Sequence, residues 1–224
     1  MKDYSSPEGH VLLVDKPLNW TSFDVVKKLK NALNLKKVGH AGTLDPLATG
    51  LLILCTGKKT KEIEKFQNLP KEYTGTLVIG QTTPSYDLET EPSPAVDITH
   101  INQEKLITTA ARFTGEVWQT PPLFSAIKVK GKRAYTHARR GDTIKLASRK
   151  VQIDKFDILE VDFPAVKFRV VCAKGTYIRS LANDFGRELG VGAYLSELRR
   201  MRIGPYRVEE ARSMEALTTR NDQE

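Results

Sequence analysis

Strand-like runs follow one another through the middle of the sequence without a helix long enough to form a crossover between them. Short apolar runs alternate with turn residues over 117–161, and an alternating run, VKFRVVCA, covers 166–173. Parallel strands need a crossover of a dozen or more residues, so this succession favours antiparallel pairing. The sequence therefore predicts an α+β fold with a mainly antiparallel or mixed sheet and flanking helices.

Apolar spacing places the remaining elements around these strands. Further strands are predicted over 10–15, 51–55, 73–79 and 195–203, and helices over 23–33, 58–66, 103–113, 176–189 and 214–217. Ser22 is the predicted cap of the first long helix, and Gly190 ends the last long one. No linker interrupts the pattern, so we expect a single domain over residues 1–224.

Composition excludes several classes of protein. The longest apolar stretch, residues 51–55, is far shorter than the roughly 20 residues that cross a bilayer, and the N-terminus lacks the apolar run of a signal peptide. Cys55 and Cys172 lie in apolar runs as buried thiols do, without the spacing of a zinc site or a disulfide framework. We expect a cytoplasmic protein with no metal.

Positive charge is concentrated in one window. Residues 128–155 contain ten Lys or Arg and two acids, whereas the rest of the chain is balanced, with 25 basic and 25 acidic residues. A phosphate-rich partner favours such clustering. The alternative is a solvated surface hairpin with many ion pairs.

A glycine-rich segment, residues 39–52 (GHAGTLDPLATGLL), presents Asp45 immediately before a buried strand. Pro46 disfavours helical geometry at Asp45, and rigid loops on a scaffold often carry catalytic groups. An Asp-Pro pair is also a common turn, so local chemistry makes Asp45 a candidate nucleophile and leaves the turn as the alternative.

This segment resembles the catalytic motif of the tRNA pseudouridine synthase B family, whose members modify uridine 55 in the T loop of tRNA. Other stretches resemble the remaining motifs of that family, in family order. They are VDKPLNWTS (14–22), KEYTGTLVIGQTT (71–83), QTPPLFSAIKVKGKRAYTHARRG (119–141), KGTYIRSLANDFG (174–186) and YLSELRRMRIG (194–204). The resemblance implies the pseudouridine synthase catalytic fold and isomerisation of uridine to pseudouridine through an aspartate nucleophile and a flipped-out base.

The resemblance also assigns roles. It makes Asp45 the nucleophile, Tyr73 the ring against the base, and His40 a contact of the flipped nucleotide. Tyr177, Arg179 and Leu198 match residues that contact the base or the carboxylate, and Lys16 matches a lysine that we interpret as structural. Residues of the segment 119–155 match the part that grips RNA, and its expected phosphate contacts are Lys128, Lys130, Lys132, Arg133, Arg139 and Arg140.

The implied reaction breaks the bond from ribose C1′ to uracil N1 and rejoins the base through C5. Nothing is oxidised overall, so we expect no cofactor. Asp45 must be ionised beside an uncharged base, and a guanidinium favours that state, which suits Arg179. The attack on C1′, the addition to C6 and the removal of a sugar proton all remain open for the carboxylate.

Two other functions fit parts of the pattern. A non-catalytic RNA-binding module would use the basic window without Asp45, and a glycosidase acting on small nucleosides would need a second carboxylate that no comparable loop supplies. The chain ends about twenty residues after its last motif. We therefore expect a monomer that binds the T-stem loop of tRNA without a separate C-terminal RNA-binding (PUA) domain.

Overall fold

The computed structural model describes residues 4, 6–125, 127–129, 132–138, 140 and 144–219. The strands are β1 Val11–Lys16, β2 Val38–His40, β3 Ala48–Thr56, β4 Lys71–Ile79, β5 Gly115–Gln119, β6 Lys128–Val129, β7 Lys132–Arg133, β8 Arg149–Asp162, β9 Ala165–Cys172, β10 Ala193–Ile203 and β11 Tyr206–Arg207. The α-helices are α1 Ser22–Ala32, α2 Ile63–Asn68, α3 Gln103–Ala111, α4 Ala134–Ala138, α5 Ile178–Leu189 and α6 Met214–Thr218, with 3₁₀ turns at Gly57–Glu62 and Val208–Glu210. The predicted α+β class is confirmed.

The chain forms two compact units. The first contains residues 1–74 and 198–224, and the second contains residues 75–197. β4 and β10 contribute residues to both. The expectation of a single catalytic domain stays a prediction.

The first unit is built around β3. β1 and β2 pair with β3 antiparallel, whereas β10 pairs with it parallel, so the sheet is mixed as predicted. Residues 51–55 of β3 are fully buried. Leu52 and Leu54 pack among residues of β1, α1 and α6, whereas Leu51, Ile53 and Cys55 pack with Phe66 of α2 on the other face. Burial on both faces explains why this strand is a continuous apolar run rather than an alternating one.

The second unit is an antiparallel sheet with helices. β8 pairs antiparallel with β5 and with β9, and α3 packs against α5 and β8. Four phenylalanine rings contact one another in its core, namely Phe113, Phe156, Phe168 and Phe185. The predicted alternation of β9 is confirmed, since Val166, Phe168 and Val170 are buried while Lys167 is exposed.

The last long helix, α5, ends where the sequence indicated. Gly190 adopts a left-handed conformation with φ of +82°, which glycine accommodates without strain. Its N–H donates to the Arg187 carbonyl, and the Val191 N–H donates to the Gly186 carbonyl. This closure satisfies carbonyls at the helix end that have no partner within the helix.

Candidate active site

Asp45 opens a tight turn that leads into β3. The Ala48 N–H donates to the Asp45 carbonyl at 3.0 Å, which closes a four-residue turn with Pro46 in its second position. Proline favours that position because its fixed φ is already suitable. The Asp45 side chain is half-buried. Its placement in a rigid turn before a buried strand is the one that the sequence indicated.

A buried arginine holds the segment before this turn. Arg200 on β10 is 1% exposed, and its Nε donates to the Leu51 carbonyl at 2.7 Å. Its two Nη atoms donate to the carbonyls of Thr43 and Gly42 at 3.4 and 3.3 Å. Arg200 therefore fixes the backbone on both sides of Asp45 to the strand that pairs with β3.

A buried lysine also holds the turn, through the carbonyl of Pro46. Lys16 is fully buried, and its Nζ donates to the carbonyls of Trp20 at 2.6 Å, Pro17 at 2.9 Å and Pro46 at 3.4 Å. Burial lowers the pKa of the Lys16 ammonium to about 8, and the charge of the Asp45 carboxylate acts in the opposite direction. Lys16 is thus a cation near Asp45 at neutral pH, and its hydrogen bonds join the carbonyls of Pro17, Trp20 and Pro46. The structural role that we inferred for it stays a prediction.

Two further hydrogen bonds flank Asp45 directly. The Ser22 hydroxyl accepts from the Leu44 N–H at 2.9 Å and lies 3.2 Å from the Leu44 carbonyl oxygen. On the other side, the Asn19 N–H donates to the Pro46 carbonyl at 2.8 Å. Both neighbours of Asp45 in the chain are therefore tied to the segment that begins α1.

Ser22 does not cap α1, contrary to the sequence prediction. The cap is Thr21, whose hydroxyl accepts from the Asp24 N–H at 3.0 Å while the Asp24 carboxylate accepts from the Thr21 N–H at 2.9 Å. Ser and Thr are both favoured caps, and the inward hydrogen bonds of Ser22 to Leu44 leave the cap position to Thr21.

His40 is the last residue of β2, opposite Leu54 of β3. Burial lowers the pKa of its imidazole below the usual range, and the charge of Arg200 lowers it further, while a hydrogen bond with the Gly42 backbone acts in the opposite direction. Its Nδ1 is buried and has no hydrogen-bond partner among the residues that the structure describes. His40 is therefore a predominantly neutral ring with an unused polar atom.

Leu198 and Tyr73 complete the predicted residues of the first unit. Leu198 lies opposite Ala48 in the parallel pairing of β10 with β3, at the point where the Asp45 turn ends. Tyr73 is a buried residue of β4. His40 and Leu198 thus lie on strands that pair with β3, and Asp45 lies in the turn that leads into β3.

In the second unit, Arg179 lies in the first turn of α5 and is 4% exposed. Its Nη2 donates to the Phe124 carbonyl at 2.9 Å, and its Nη1 donates to the Ser85 carbonyl at 3.3 Å. Its Nε lies 3.5 Å from Oδ2 of Asp87, which is also buried. A buried guanidinium with an anionic partner is a functional-site candidate, whereas an ordinary helix arginine lies on the surface.

Tyr177 directly precedes α5. The Gln119 side chain accepts from the Tyr177 N–H at 2.7 Å and donates to the Tyr177 carbonyl at 3.0 Å. The guanidinium of Arg149 lies 5.2 Å from the centroid of the Tyr177 ring. Gln119 thus fixes the backbone of Tyr177, and Arg149 covers its ring.

The predicted RNA-gripping residues are described only in part. Lys130 and Arg139 lie outside the described residues, and for Lys128, Lys132 and Arg133 the structure describes the backbone alone, in the antiparallel pair of β6 and β7. Arg140 is exposed. Phosphate contacts by this segment stay a prediction.

Sequence reasoning missed Arg200 and Asp87 in this region and gave Ser22 a different role. Arg200 and Ser22 hold the Asp45 segment, and Asp87 pairs with Arg179. Arg200 lies two residues after Leu198 within a strand pattern, which was a weak signal, and Asp87 lies among the acids of a proline-rich loop. The predicted ion pair of Arg179 with Asp45 stays a prediction.

Two family models match the chain. The model described as "TruB family pseudouridylate synthase (N terminal domain)" matches residues 30–178, and the model "tRNA pseudouridylate synthase B C-terminal domain" matches residues 179–223. Fold and matches define an enzyme of the pseudouridine synthase class.

Curated relatives narrow that class. The "tRNA pseudouridine synthase B" of Flavobacterium johnsoniae is 55% identical to this chain, over 91% of this chain and 92% of the relative. The protein of the same name from Phocaeicola vulgatus is 51% identical, over 97% of this chain and 95% of the relative. The chain belongs to the TruB family of pseudouridylate synthases.

Solved structures share the fold. The chain superposes on a "Cbf5-Nop10-Gar1 Complex" with a TM-score of 0.72 and 33% identity, over 92% of this chain and 55% of the solved one. An "H/ACA RNP bound to a substrate RNA containing 2'-deoxyuridine" gives a TM-score of 0.69 and 29% identity, over 95% and 56%. The chain therefore spans about half the length of these solved chains.

The described part of the chain contains neither a candidate membrane span nor a candidate metal site. None of its helices combines the length and the apolar character that a membrane span needs. Nor do three His, Cys, Asp or Glu side chains within it group as a metal site would require.

Proposed function

We propose that this enzyme isomerises uridine 55 in the T loop of tRNA to pseudouridine, with Asp45 as the nucleophile. The curated relatives bear the name of a tRNA enzyme. The observation that carries the assignment of Asp45 is the turn it opens. The backbone around this turn is held through the carbonyls of Gly42, Thr43, Pro46 and Leu51 by two buried cations. A cytoplasmic location follows from that substrate.

The chemistry requires a fixed carboxylate and little else from the protein. The glycosidic bond from C1′ to N1 breaks, the uracil turns, and C1′ bonds to C5, while C5 loses a proton and N1 gains one. Electrons balance within the base, so no oxidant or reductant takes part. Asp45 attacks C1′, adds to C6 or removes a sugar proton, and each route needs it ionised.

We assign two cations to the Asp45 carboxylate. Lys16 is protonated at neutral pH, since its pKa is about 8, and it interacts with the Asp45 carboxylate. A nearby opposite charge favours the ionised form of a carboxylic acid. Arg179 is the second cation that we assign to this carboxylate, and its guanidinium stays charged throughout the working range of pH.

The proposed base pocket uses the side chains that the family resemblance assigned. The target uridine leaves its stack at a cost of a few kcal/mol. Tyr73 stacks on the extruded uracil, which recovers roughly 1–3 kcal/mol. Tyr177 and Leu198 contact the same base, and His40 contacts the flipped nucleotide with the buried Nδ1 as its available polar atom. The basic residues of segment 119–155 bind the phosphates of the T-stem loop, and the enzyme acts as a monomer without a cofactor.

The test is the conversion of a T-arm RNA by the Asp45→Asn enzyme. We expect pseudouridine to fall below detection while RNA binding persists, because the amide keeps the shape of the carboxylate but is a poor nucleophile. The matched control is Asp97→Asn, since Asp97 is an exposed loop aspartate whose side chain accepts from Thr99.

Three readouts separate the competing functions. Wild-type conversion by Asp45→Asn would refute the nucleophile, and pseudouridine at a uridine other than 55 would refute the proposed position. Free uracil from the wild-type enzyme would indicate a glycosidase, whereas binding with no product from either protein would indicate a binding module.

A further inference from the structure

The solvent-facing side of α1 combines an aromatic ring with a row of lysines. Phe23 is 67% exposed, and Lys27 and Lys30 are exposed as well. These residues are spaced by four and three positions, so they lie on one face of the helix. The opposite face, with Val25, Val26 and Leu29, is buried in the core of the first unit, so within the described residues this side of α1 faces solvent. We name Phe23, Lys27 and Lys30 the α1 stripe.

The α1 stripe begins next to the catalytic turn. Phe23 directly follows Ser22, whose hydroxyl hydrogen-bonds the backbone of Leu44, and Leu44 directly precedes Asp45. Leu18, which is also exposed, directly precedes Asn19, whose N–H donates to the Pro46 carbonyl. The exposed side chains of Leu18 and Phe23 are therefore each adjacent in sequence to a residue that hydrogen-bonds a neighbour of Asp45.

The charge of this region suits a polyanion. Residues 20–40 contain five lysines and a single acid. That acid, Asp24, directs its carboxylate to the N–H and hydroxyl of Thr21 in the helix cap. All five lysines are exposed, and they are Lys27, Lys28, Lys30, Lys36 and Lys37. The region is rich in positive charge and lies outside the basic window 128–155.

We propose that the α1 stripe is a second RNA-binding surface, on which Phe23 stacks against an unpaired nucleobase beside the target uridine and Lys27 and Lys30 bind the phosphates that follow. This proposal rests on the proposed function, since it extends the same RNA from the Asp45 turn along α1. Unpaired bases stack on exposed aromatic rings, and lysines that track the backbone bind phosphates without reading sequence. An exposed phenylalanine at one end of a basic row offers both.

The stacking role is tested by substitutions that distinguish the effect of the aromatic face of Phe23 from the effect of its apolar volume. Phe23→Tyr keeps the aromatic face, whereas Phe23→Leu keeps apolar volume without it. We expect the Kd for a T-arm RNA to rise roughly tenfold in Phe23→Leu and to stay within about twofold of wild type in Phe23→Tyr. Equal Kd values for wild type and Phe23→Leu, or equal weakening by both substitutions, would overturn the stacking role.

The phosphate contacts are tested by salt. In Lys27→Ala/Lys30→Ala, the slope of log K against log salt is expected to fall by roughly one to two, because each lost phosphate contact on single-stranded RNA lowers it by about 0.7. The control variant changes two exposed residues of α3, Lys105 and Ile107, which are two positions apart in the sequence; Ile107 is 50% exposed. Lys105→Ala/Ile107→Ala is expected to bind as wild type does, and an unchanged slope in the α1 variant would overturn the phosphate role.

Binding and conversion are measured on the same RNA so that the two proposals fail separately. An active wild-type enzyme whose α1 variants bind normally would overturn the α1 stripe alone. A wild-type enzyme that forms no pseudouridine in the T-arm RNA would overturn the proposed function, while its Kd values would still decide whether α1 binds RNA. If the stripe acts as proposed, kcat/KM falls by the same factor as the affinity.

Discussion

Replacement of Arg200 by methionine tests whether the Asp45 turn must be held for the reaction. Methionine retains apolar volume but removes every donor, so the carbonyls of Leu51, Thr43 and Gly42 each lose a hydrogen bond. We expect a fold that survives with reduced stability and a catalytic rate that falls by a larger factor. Arg200 is a positioning residue, since it acts on the backbone around Asp45.

The magnitude follows from the three contacts. The bond to Leu51, at 2.7 Å, is short and charge-assisted, which corresponds to about 1.5–3 kcal/mol. The bonds at 3.3 and 3.4 Å are near the outer limit and contribute less. Methionine also removes the desolvation penalty of a buried charge, which offsets part of the loss. The net decrease in unfolding free energy is therefore about 1–3 kcal/mol.

The rate is more sensitive than the stability. A shift of about 1 Å in a reacting group can cost roughly a hundredfold in rate. We expect the single-turnover rate of Arg200→Met to fall by about that factor with little change in the Kd for RNA. Arg200→Lys keeps the charge, but a single nitrogen replaces donors that reach Leu51 on one side and Gly42 and Thr43 on the other. It should recover stability more than rate.

Arg199 is the matched control within the same strand. It forms a bidentate ion pair with Asp15 at 2.7 and 3.0 Å, and both side chains are partly exposed, so its loss should cost less than about 1 kcal/mol. Urea unfolding and single-turnover conversion of a T-arm RNA measure both quantities. A folded Arg200→Met enzyme with the wild-type single-turnover rate would refute the reasoning.

Two further predictions concern the same region. Gly50 and Gly115 have nearly the same φ, +100° and +98°, but a Cβ at Gly50 would lie 2.4 Å from the Arg200 carbonyl oxygen, whereas a Cβ at Gly115 would meet nothing within 4 Å. The unfolding free energy of Gly50→Ala should therefore be lower than that of Gly115→Ala by roughly 1–3 kcal/mol, so its urea midpoint should also be lower. Equal midpoints would contradict the proposed close approach of β3 and β10. The second concerns Lys16, whose pKa falls from 10.5 in the unfolded chain to about 8 in the fold, so the unfolded state binds more protons between these values. The unfolding free energy of wild type relative to Lys16→Met should thus rise from about pH 8 to pH 10.5 and stay flat below pH 7, and a difference independent of pH would contradict the burial of the ammonium.

Most of the fold was predictable because local patterns and burial agree. The alternation in β9 and the helical spacing that ends at Gly190 in α5 each correspond to one element with one buried face. The extended strand β8 was less predictable, because it covers 14 residues with irregular pairing where the sequence indicated only short runs. Its register shifts break the simple alternation on which the prediction depended.

The candidate site was predictable only where the chain itself marks it. Asp45 is marked by the glycines and the proline around it, whereas an arginine in a strand, such as Arg200, ordinarily indicates a surface position. Its partners are carbonyls about 150 positions away in the sequence, and no local pattern indicates which carbonyls lack a donor. Asp87 was missed for the same reason, since its pairing with Arg179 depends on two segments meeting in space.

The burial of Lys16 indicates what the site is built to do. A lysine with its pKa lowered to about 8 is a charge that the fold holds against the cost of desolvation, and three carbonyls replace the water it has lost. Burial of this charge costs desolvation free energy, so stability alone does not account for it. The charge of Lys16 interacts with the Asp45 carboxylate, which is the group that the proposed reaction uses in its ionised form. Stability and rate should therefore respond separately in Lys16→Met, and a rate that follows stability would indicate that the lysine only supports the fold.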